Sequence, residues 1–128
     1  MEPWHTGGIG AVTLFVEDLA RARAFYSQAF GLPVHFEDAD SVVFRFGGTL
    51  VNLLVASAAG ELVEPATVGA AGNGPRAQFT LDVEDVDATC AELSARGIAL
   101  LNGPVDRPWG VRTAAFQDPD GNVWEIAH

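Results

Sequence analysis

The sequence VTLFVEDL at residues 12–19 returns 67 positions further on as FTLDVEDV at residues 79–86. A repeat of this kind indicates two copies of one structural unit, whose matching positions share the same geometry. A chain of 128 residues is long enough for one buried core. We therefore predict a single domain over residues 1–128, with modules at about 7–56 and 77–128 joined by a linker at about 57–76.

Composition and charge narrow the class of protein. Apolar residues make up 48% of the chain and charged residues 19%, as in a packed globular protein. The net charge of −10, with seven scattered Lys and Arg residues, argues against binding to nucleic acid or to acidic membranes. The longest apolar run, residues 50–59, is too short to cross a bilayer, and the first four residues lack the basic flank of a signal peptide. We expect a cytoplasmic protein with no nucleic-acid or membrane partner.

The single cysteine, Cys90, excludes a disulfide within the chain and a cysteine-based zinc site. It falls on the same helical stripe as Val86 and Leu93, which favours a small core residue over a reactive thiol.

The first module follows the order strand, helix, strand, strand, strand. Asp18 is a helix N-cap and Gly31 a natural helix stop, so the helix lies between them. Alternating or β-branched runs predict strands at residues 9–16, 34–37, 41–46 and 49–55. Residues 56–76 are rich in Ala, Gly and Pro without sustained periodicity, which predicts a linker with a mobile loop.

The second module repeats this order. Asp85 caps its helix and Gly97 ends it, while strands are predicted at residues 78–83, 98–101, 112–117 and 122–127. Residues 118–121, Asp-Pro-Asp-Gly, form a turn signature. Alternation in the first strands turns Thr13 and Phe15, and likewise Gln78 and Thr80, away from the covering helices.

Several motifs together carry a family resemblance. They are the repeated Val-Glu-Asp, the Ala24-Phe25-Tyr26 run on the first helix and the closing DPDGNVWE at residues 118–125. The chain resembles the vicinal oxygen chelate superfamily, which includes glyoxalases, extradiol dioxygenases, fosfomycin-inactivating enzymes and bleomycin-binding resistance proteins. The resemblance implies an α+β fold in which two tandem βαβββ modules form a curved mixed-sheet cup with helices on the outer face. It also implies a homodimer whose ligand lies against the concave faces.

Enzymes of this superfamily hold a divalent metal with side chains from the first and last strands of the modules. The resemblance places those positions at Ala11, Asn52, Gln78 and Glu125. Alanine has no donor atom and an asparagine amide is a weak ligand, whereas catalytic metals normally have about three protein ligands. We therefore favour a site without metal or other cofactor; if a divalent metal binds, Gln78 and Glu125 would need a third ligand, for which His5 is the candidate.

The candidate ligand-binding residues divide into strand residues and a distinctive later segment. On the strands we predict contacts from Thr13, Phe15, Asn52, Gln78, Thr80 and Glu125. Glu125, the one candidate catalytic residue, is either a base, ligand or hydrogen-bond acceptor on the concave face or a solvated carboxylate at the end of the sheet. Gln78 similarly either caps a strand edge or contacts a ligand.

Residues 104–112 are the most distinctive segment outside the repeat. Trp109 offers a flat face on which a planar ligand could stack, and the alternative is a core or dimer-interface aromatic. Arg112 could clamp a ligand carboxylate or phosphate, or pair with one of the seventeen acidic residues.

Three functions remain open on the sequence. The first is a small-molecule-binding protein of the glyoxalase and bleomycin-resistance type, which holds a hydrophobic or aromatic metabolite or antibiotic. The second is a metal-dependent lyase, isomerase or dioxygenase that polarises two adjacent substrate oxygens. The third is an interaction module without a small-molecule ligand, which the partly polar sheet faces disfavour.

Overall fold

A computed structural model describes residues 7–128, and its contacts divide the chain into two compact units, one ending at Gly69 and the next beginning at Ala70. The first unit contains the predicted βαβββ order. Its elements are β1 (Ala11–Val16), α1 (Leu19–Phe30), β2 (Val34–Glu37), β3 (Ser41–Phe46) and β4 (Thr49–Val55). The sheet order is β1-β4-β3-β2, with β1 parallel to β4 and the other pairs antiparallel.

Helix α1 has the ends that the sequence predicts. The Asp18 side chain accepts a 3.0 Å hydrogen bond from the backbone N–H of Arg21, and Gly31 closes the helix with a φ of 65°. Between them Tyr26 is fully buried, with its ring 6.1 Å from that of Phe44 on β3. The aromatic contact shows which face of the first sheet the helix covers.

The segment after β4 departs from the prediction of an irregular linker. A 3-10 turn at Ala56–Ala58 is followed by the one-turn helix α2 (Gly60–Val63), and Ala59 between them is fully buried. The prediction of irregular structure is therefore wrong over residues 56–63. Helical turns of three or four residues are too short to show a 3.6-residue periodicity, so the sequence pattern did not reveal them.

The second unit repeats the topology of the first. Its elements are β5 (Gln78–Asp82), α3 (Val86–Ala95), β6 (Asn102–Asp106), β7 (Arg112–Gln117) and β8 (Val123–Ala127). The sheet order β5-β8-β7-β6, with β5 parallel to β8, matches the first sheet strand for strand. Asp85 caps α3 by accepting a 3.1 Å bond from the N–H of Ala88, as the repeat predicts.

The strand predicted at residues 98–101 is wrong, because β6 lies instead at Asn102–Asp106. Ile98 donates its N–H to the carbonyl of Leu93, so it completes the end of α3 and buries its side chain there. Among residues 98–101 Ile98 alone is buried, while Ala99 and Leu101 are exposed. The strand is instead Asn102–Asp106, a poor strand sequence that pairs with β7.

Each sheet has one face covered by its helix and one face turned away from it. On β5 the residues turned away are Gln78, Thr80 and Asp82, in register with Val123, Glu125 and Ala127 on β8. The equivalent face of the first sheet carries Ala11, Thr13 and Phe15, in register with Leu50, Asn52 and Leu54 on β4. The predicted facing of these residues is confirmed. No helix formed by residues 7–128 is long and apolar enough to span a bilayer.

Candidate functional site

A threonine and a second polar side chain lie next to each other at equivalent positions of the two sheets. Thr13 on β1 is in register with Asn52 on β4, and Thr80 on β5 is in register with Glu125 on β8. Thr13 and Thr80 are matching positions of the repeat, so the two pairs are equivalent. Both pairs lie on faces turned away from the helices, which is where the sequence placed the ligand-binding residues.

The pair in the second sheet is a short hydrogen bond. The hydroxyl of Thr80 donates to Oε1 of Glu125 over 3.0 Å, and no other hydrogen bond from residues 7–128 reaches this carboxylate. Glu125 is half-buried, while Gln78 on the same face is exposed. One carboxylate oxygen therefore remains available to accept a hydrogen bond from a bound molecule.

The pair in the first sheet is incomplete. The Nδ2 of Asn52 lies 3.5 Å from the Thr13 hydroxyl, at the outer limit of a hydrogen bond. The Oδ1 of Asn52 is closed off from solvent and has no hydrogen-bond partner among residues 7–128. Rotating the amide by half a turn would place its nitrogen in that closed position instead, so either orientation leaves a buried polar group unpaired.

Apart from Thr13, the residues closest to Asn52 on this face are apolar. The register places Val43 of β3 directly beside it, and Leu50 and Leu54 are two positions away on β4. Phe15 of β1 is in register with Leu54 and half-buried. The unpaired amide oxygen therefore has hydrophobic side chains close to it.

The residues at the family's metal positions do not fit a divalent ion. Ala11 contributes only a methyl group, Asn52 and Gln78 are neutral amides, and Glu125 is the single carboxylate. Within residues 7–128 there is no cluster of three His, Cys, Asp or Glu side chains that could hold a metal. The predicted third ligand, His5, lies outside the described residues.

Arg112 forms ion pairs on the helix side of the second sheet. Its Nε and Nη2 donate to the two oxygens of Asp87 on α3 over 2.8 and 2.9 Å, and its Nη1 donates to Asp106 over 3.1 Å. These bonds hold the pKa of the Asp87 carboxyl below its ordinary value, chiefly through the hydrogen bonds from Arg112. The ion-pair alternative for Arg112 is confirmed, and the residue lies on the opposite face from Thr80 and Glu125.

Arg107, and not Arg112, contacts the face of the second sheet that is turned away from α3. Its Nε donates to the hydroxyl of Thr113 over 2.9 Å, and its Nη2 lies 3.5 Å from Oδ1 of Asn102. Thr113 is in register with Ala127, so it shares the face of Glu125. Sequence reasoning missed Arg107 because the strand before it was placed at residues 98–101. The correct strand leads into a tight hairpin in which Arg107 and Arg112 flank the turn.

Trp109 lies at the tip of this hairpin with 70% of its surface exposed. The hairpin closes through a 2.7 Å bond from the N–H of Arg107 to the carbonyl of Val111. The Arg107 guanidinium carbon is 6.0 Å from the centre of the Trp109 ring. Trp109 is therefore not a core residue of its module, and the stacking and dimer-interface hypotheses both remain.

A separate shallow cavity lies in the first module. It has a volume of about 400 Å³ and is lined by Leu32, Pro33, Val34, His35, Arg45 and Gly47. None of the predicted ligand-binding residues lines it. The cavity is therefore not the site that the sequence predicts.

Comparisons with known proteins agree with this architecture. The sequence model of the glyoxalase/bleomycin resistance protein/dioxygenase superfamily matches residues 8–126. An uncharacterized protein of Bacillus subtilis, YraH, is 33% identical over 120 residues, which cover 90% of this chain and 93% of YraH.

Two solved structures are similar over nearly the whole chain. A glyoxalase/bleomycin resistance protein/dioxygenase from Nocardioides superposes with a TM-score of 0.86 at 23% identity, covering 98% of this chain and 85% of that one. Lactoylglutathione lyase from Agrobacterium tumefaciens superposes with a TM-score of 0.77 at 25% identity, covering 96% and 94%. The chain belongs to the glyoxalase/bleomycin resistance protein/dioxygenase superfamily.

Proposed function

We propose that this protein binds a small hydrophobic or aromatic metabolite or antibiotic on the sheet faces turned away from its helices, without a divalent metal. The observation that carries the proposal is the Asn52 Oδ1, a buried acceptor with no donor among residues 7–128. Such atoms are rare in folded proteins because burying an unpaired polar group costs about 1–3 kcal/mol. Because this oxygen is closed off from solvent, a ligand N–H or O–H reaches it only by displacing a neighbouring side chain, and the hydrogen bond would then recover that free energy.

The surroundings of Asn52 support a mostly apolar ligand. Phe15, Val43 and the two leucines beside Asn52 offer hydrophobic area, while the amide fixes the orientation of one polar group. Small-molecule sites generally combine apolar walls with a few placed polar groups. On its own sheet face the second module carries a separate polar pair, Thr80 and Glu125.

The second candidate function is a metal-dependent lyase, isomerase or dioxygenase, with Glu125 as ligand or base. Two observations favour it: Glu125 has a carboxylate oxygen with no hydrogen bond from residues 7–128, and the chain is similar to the lactoylglutathione lyase of Agrobacterium tumefaciens. The donor set argues against it, because Ala11 has no donor and the two remaining positions are amides.

Metal analysis separates these candidates. We expect no stoichiometric metal in the purified protein and no change in melting temperature when EDTA is added. A bound metal in stoichiometric amount, with a large loss of stability on chelation, would show that the metal-free proposal is wrong.

A thermal-shift screen then tests binding itself. Compounds of differing charge and aromaticity are compared on the parent protein and on Asn52→Leu, which keeps the branched shape but removes the amide. We expect hits on the parent whose shifts shrink in Asn52→Leu and persist in Asn122→Leu, since Asn122 directly follows the turn at residues 118–121 and its amide is already bonded to Asp118. Equal shifts in Asn52→Leu and the parent would remove Asn52 from the site.

We also propose that the protein is a homodimer, as the family resemblance implies. Sedimentation equilibrium over a range of protein concentrations measures the assembled mass directly. A mass of one chain at every concentration would reject the dimer.

A further inference from the structure

Arg107 differs from the ion-paired arginines in the nature of its partners. Arg23, Arg96 and Arg112 each form an ion pair with a carboxylate. Arg107 instead donates to a threonine hydroxyl and an asparagine carbonyl, and forms no ion pair with a carboxylate of residues 7–128. In a chain of net charge −10, a half-buried cation with only neutral partners is an uncompensated positive charge.

The guanidinium of Arg107 is fixed in position rather than free to sweep through solvent. Its Nε bond of 2.9 Å ends on Thr113, whose side chain is 1% exposed. The short hairpin bond between Arg107 and Val111 fixes the backbone as well. A guanidinium has five N–H groups, and these contacts use two of them, so the remaining ones can bind an anion in paired fashion.

Trp109 provides a flat apolar surface next to this charge. Its ring is 70% exposed and lies 6.0 Å from the Arg107 guanidinium carbon. An exposed tryptophan beside an arginine matches a ligand that carries both an aromatic ring and a negative group. Both residues belong to the hairpin between β6 and β7 and need no other element to be brought together.

We infer that Arg107, oriented by Thr113 and Asn102, binds the carboxylate of a planar aromatic ligand whose ring stacks on Trp109. This inference rests on the proposed small-molecule function and names the class of ligand, an aromatic carboxylate. Burial of this surface by a second copy of the chain is the alternative occupant, and the oligomeric state of Arg107→Gln in the test below separates it from a ligand.

The test compares two probes of the same shape and different charge, 2-naphthoate and its neutral amide 2-naphthamide, by isothermal titration calorimetry. The parent protein should bind the naphthoate about tenfold more tightly, because a charge-assisted hydrogen bond contributes more than a neutral one. A rising salt concentration should weaken the binding of 2-naphthoate and leave the binding of 2-naphthamide nearly unchanged. Trp109→Ala should weaken the binding of both probes.

Two charge-matched variants isolate the role of Arg107. Arg107→Gln should abolish the preference for naphthoate, whereas Arg96→Gln, which removes the same charge from the surface of α3, should retain it. Thr113→Val keeps the arginine but removes the hydroxyl that orients it. This variant should reduce the preference for 2-naphthoate without abolishing it. Melting curves for each variant confirm that it is folded.

The outcomes separate this inference from the proposed function. Equal binding of the two probes by the parent, or a preference that survives Arg107→Gln, would overturn the inference while small-molecule binding stands. No binding of either probe at millimolar concentration would also overturn it, and the screen on Asn52→Leu would then decide the function independently. Conversion of a dimer to monomers by Arg107→Gln would assign this surface to a second copy and reject the ligand site.

Discussion

Asn52 and Thr13 form a pair in which one amide atom reaches a partner and the other does not. The Nδ2 of Asn52 is 3.5 Å from the Thr13 hydroxyl, while Oδ1 is sealed from solvent without a donor among residues 7–128. At the equivalent position of the second module, Thr80 donates a full 3.0 Å bond to Glu125. The threonine is therefore the same in both modules, whereas the residue beside it is Asn52 in the first and Glu125 in the second.

Asn52→Leu should raise the free energy of unfolding by about 1 kcal/mol, because it replaces an unpaired buried amide with an apolar side chain of the same branched shape. Urea denaturation of the ligand-free protein measures this change. In the control Asn122→Leu, which removes a 3.0 Å bond to Asp118 from a residue 4% exposed, stability should fall by about 2 kcal/mol. A loss of stability in Asn52→Leu would show that Oδ1 has a partner after all.

The Asp87–Arg112 ion pair should make the free energy of unfolding depend on pH in the acidic range. Arg112 lowers the pKa of Asp87, so its contribution is present above the ordinary aspartate value of about 4 and is lost as pH falls through the lower folded-state pKa. Asp87→Asn should reduce the free energy of unfolding at pH 7. It should also flatten the decline of that free energy below about pH 4, as measured by denaturation curves at each pH. Glu92→Gln removes the same charge from α3 without contacting Arg112 and serves as the control. Parallel pH profiles for parent and Asp87→Asn would contradict this.

Gly103 is required where β6 approaches β7. Its φ is +83°, and an added Cβ would lie 2.5 Å from the carbonyl oxygen of Thr113 and 2.7 Å from the Cα of Ala114. Gly110 has a similar φ of +96° but open space around the same position. Gly110→Ala should cost about 1 kcal/mol of backbone strain, and Gly103→Ala at least about 3 kcal/mol because it adds a backbone clash. Thermal and urea unfolding measure both; equal losses would mean that the strand pair relaxes freely.

The two tryptophans of the second module should respond differently to truncation. Trp109 is 70% exposed, so Trp109→Ala should change stability by less than about 0.5 kcal/mol. Trp124 is 2% exposed and packs against Phe79 at 5.0 Å between ring centres, so Trp124→Ala should cost about 3–5 kcal/mol. If Trp109→Ala proves strongly destabilising in monomeric protein, the residue has a structural partner and is not free for stacking.

Much of the fold was predictable because it depends on local patterns. The caps Asp18 and Asp85 act on backbone groups three residues away, and strand alternation settles which side of a sheet a residue such as Glu125 faces. Prediction failed at residues 98–101, because Ile98 completes the end of α3 and the strand begins only at Asn102. Burial explains the hydrophobicity of Ile98, and local sequence does not distinguish burial at a helix end from burial in a strand.

The sequence by itself determined the duplicated βαβββ plan and the helix ends, since each follows from patterns along the chain, and the resemblance to the superfamily supplied the four expected metal positions. Tertiary structure decided which arginine is committed to ion pairs and which is not. Arg112 and Arg107 flank one hairpin, yet Arg112 meets Asp87 on the helix side, while Arg107 meets only neutral oxygens. The charge that a side chain encounters depends on distant elements brought together by folding, which spacing along the chain does not record.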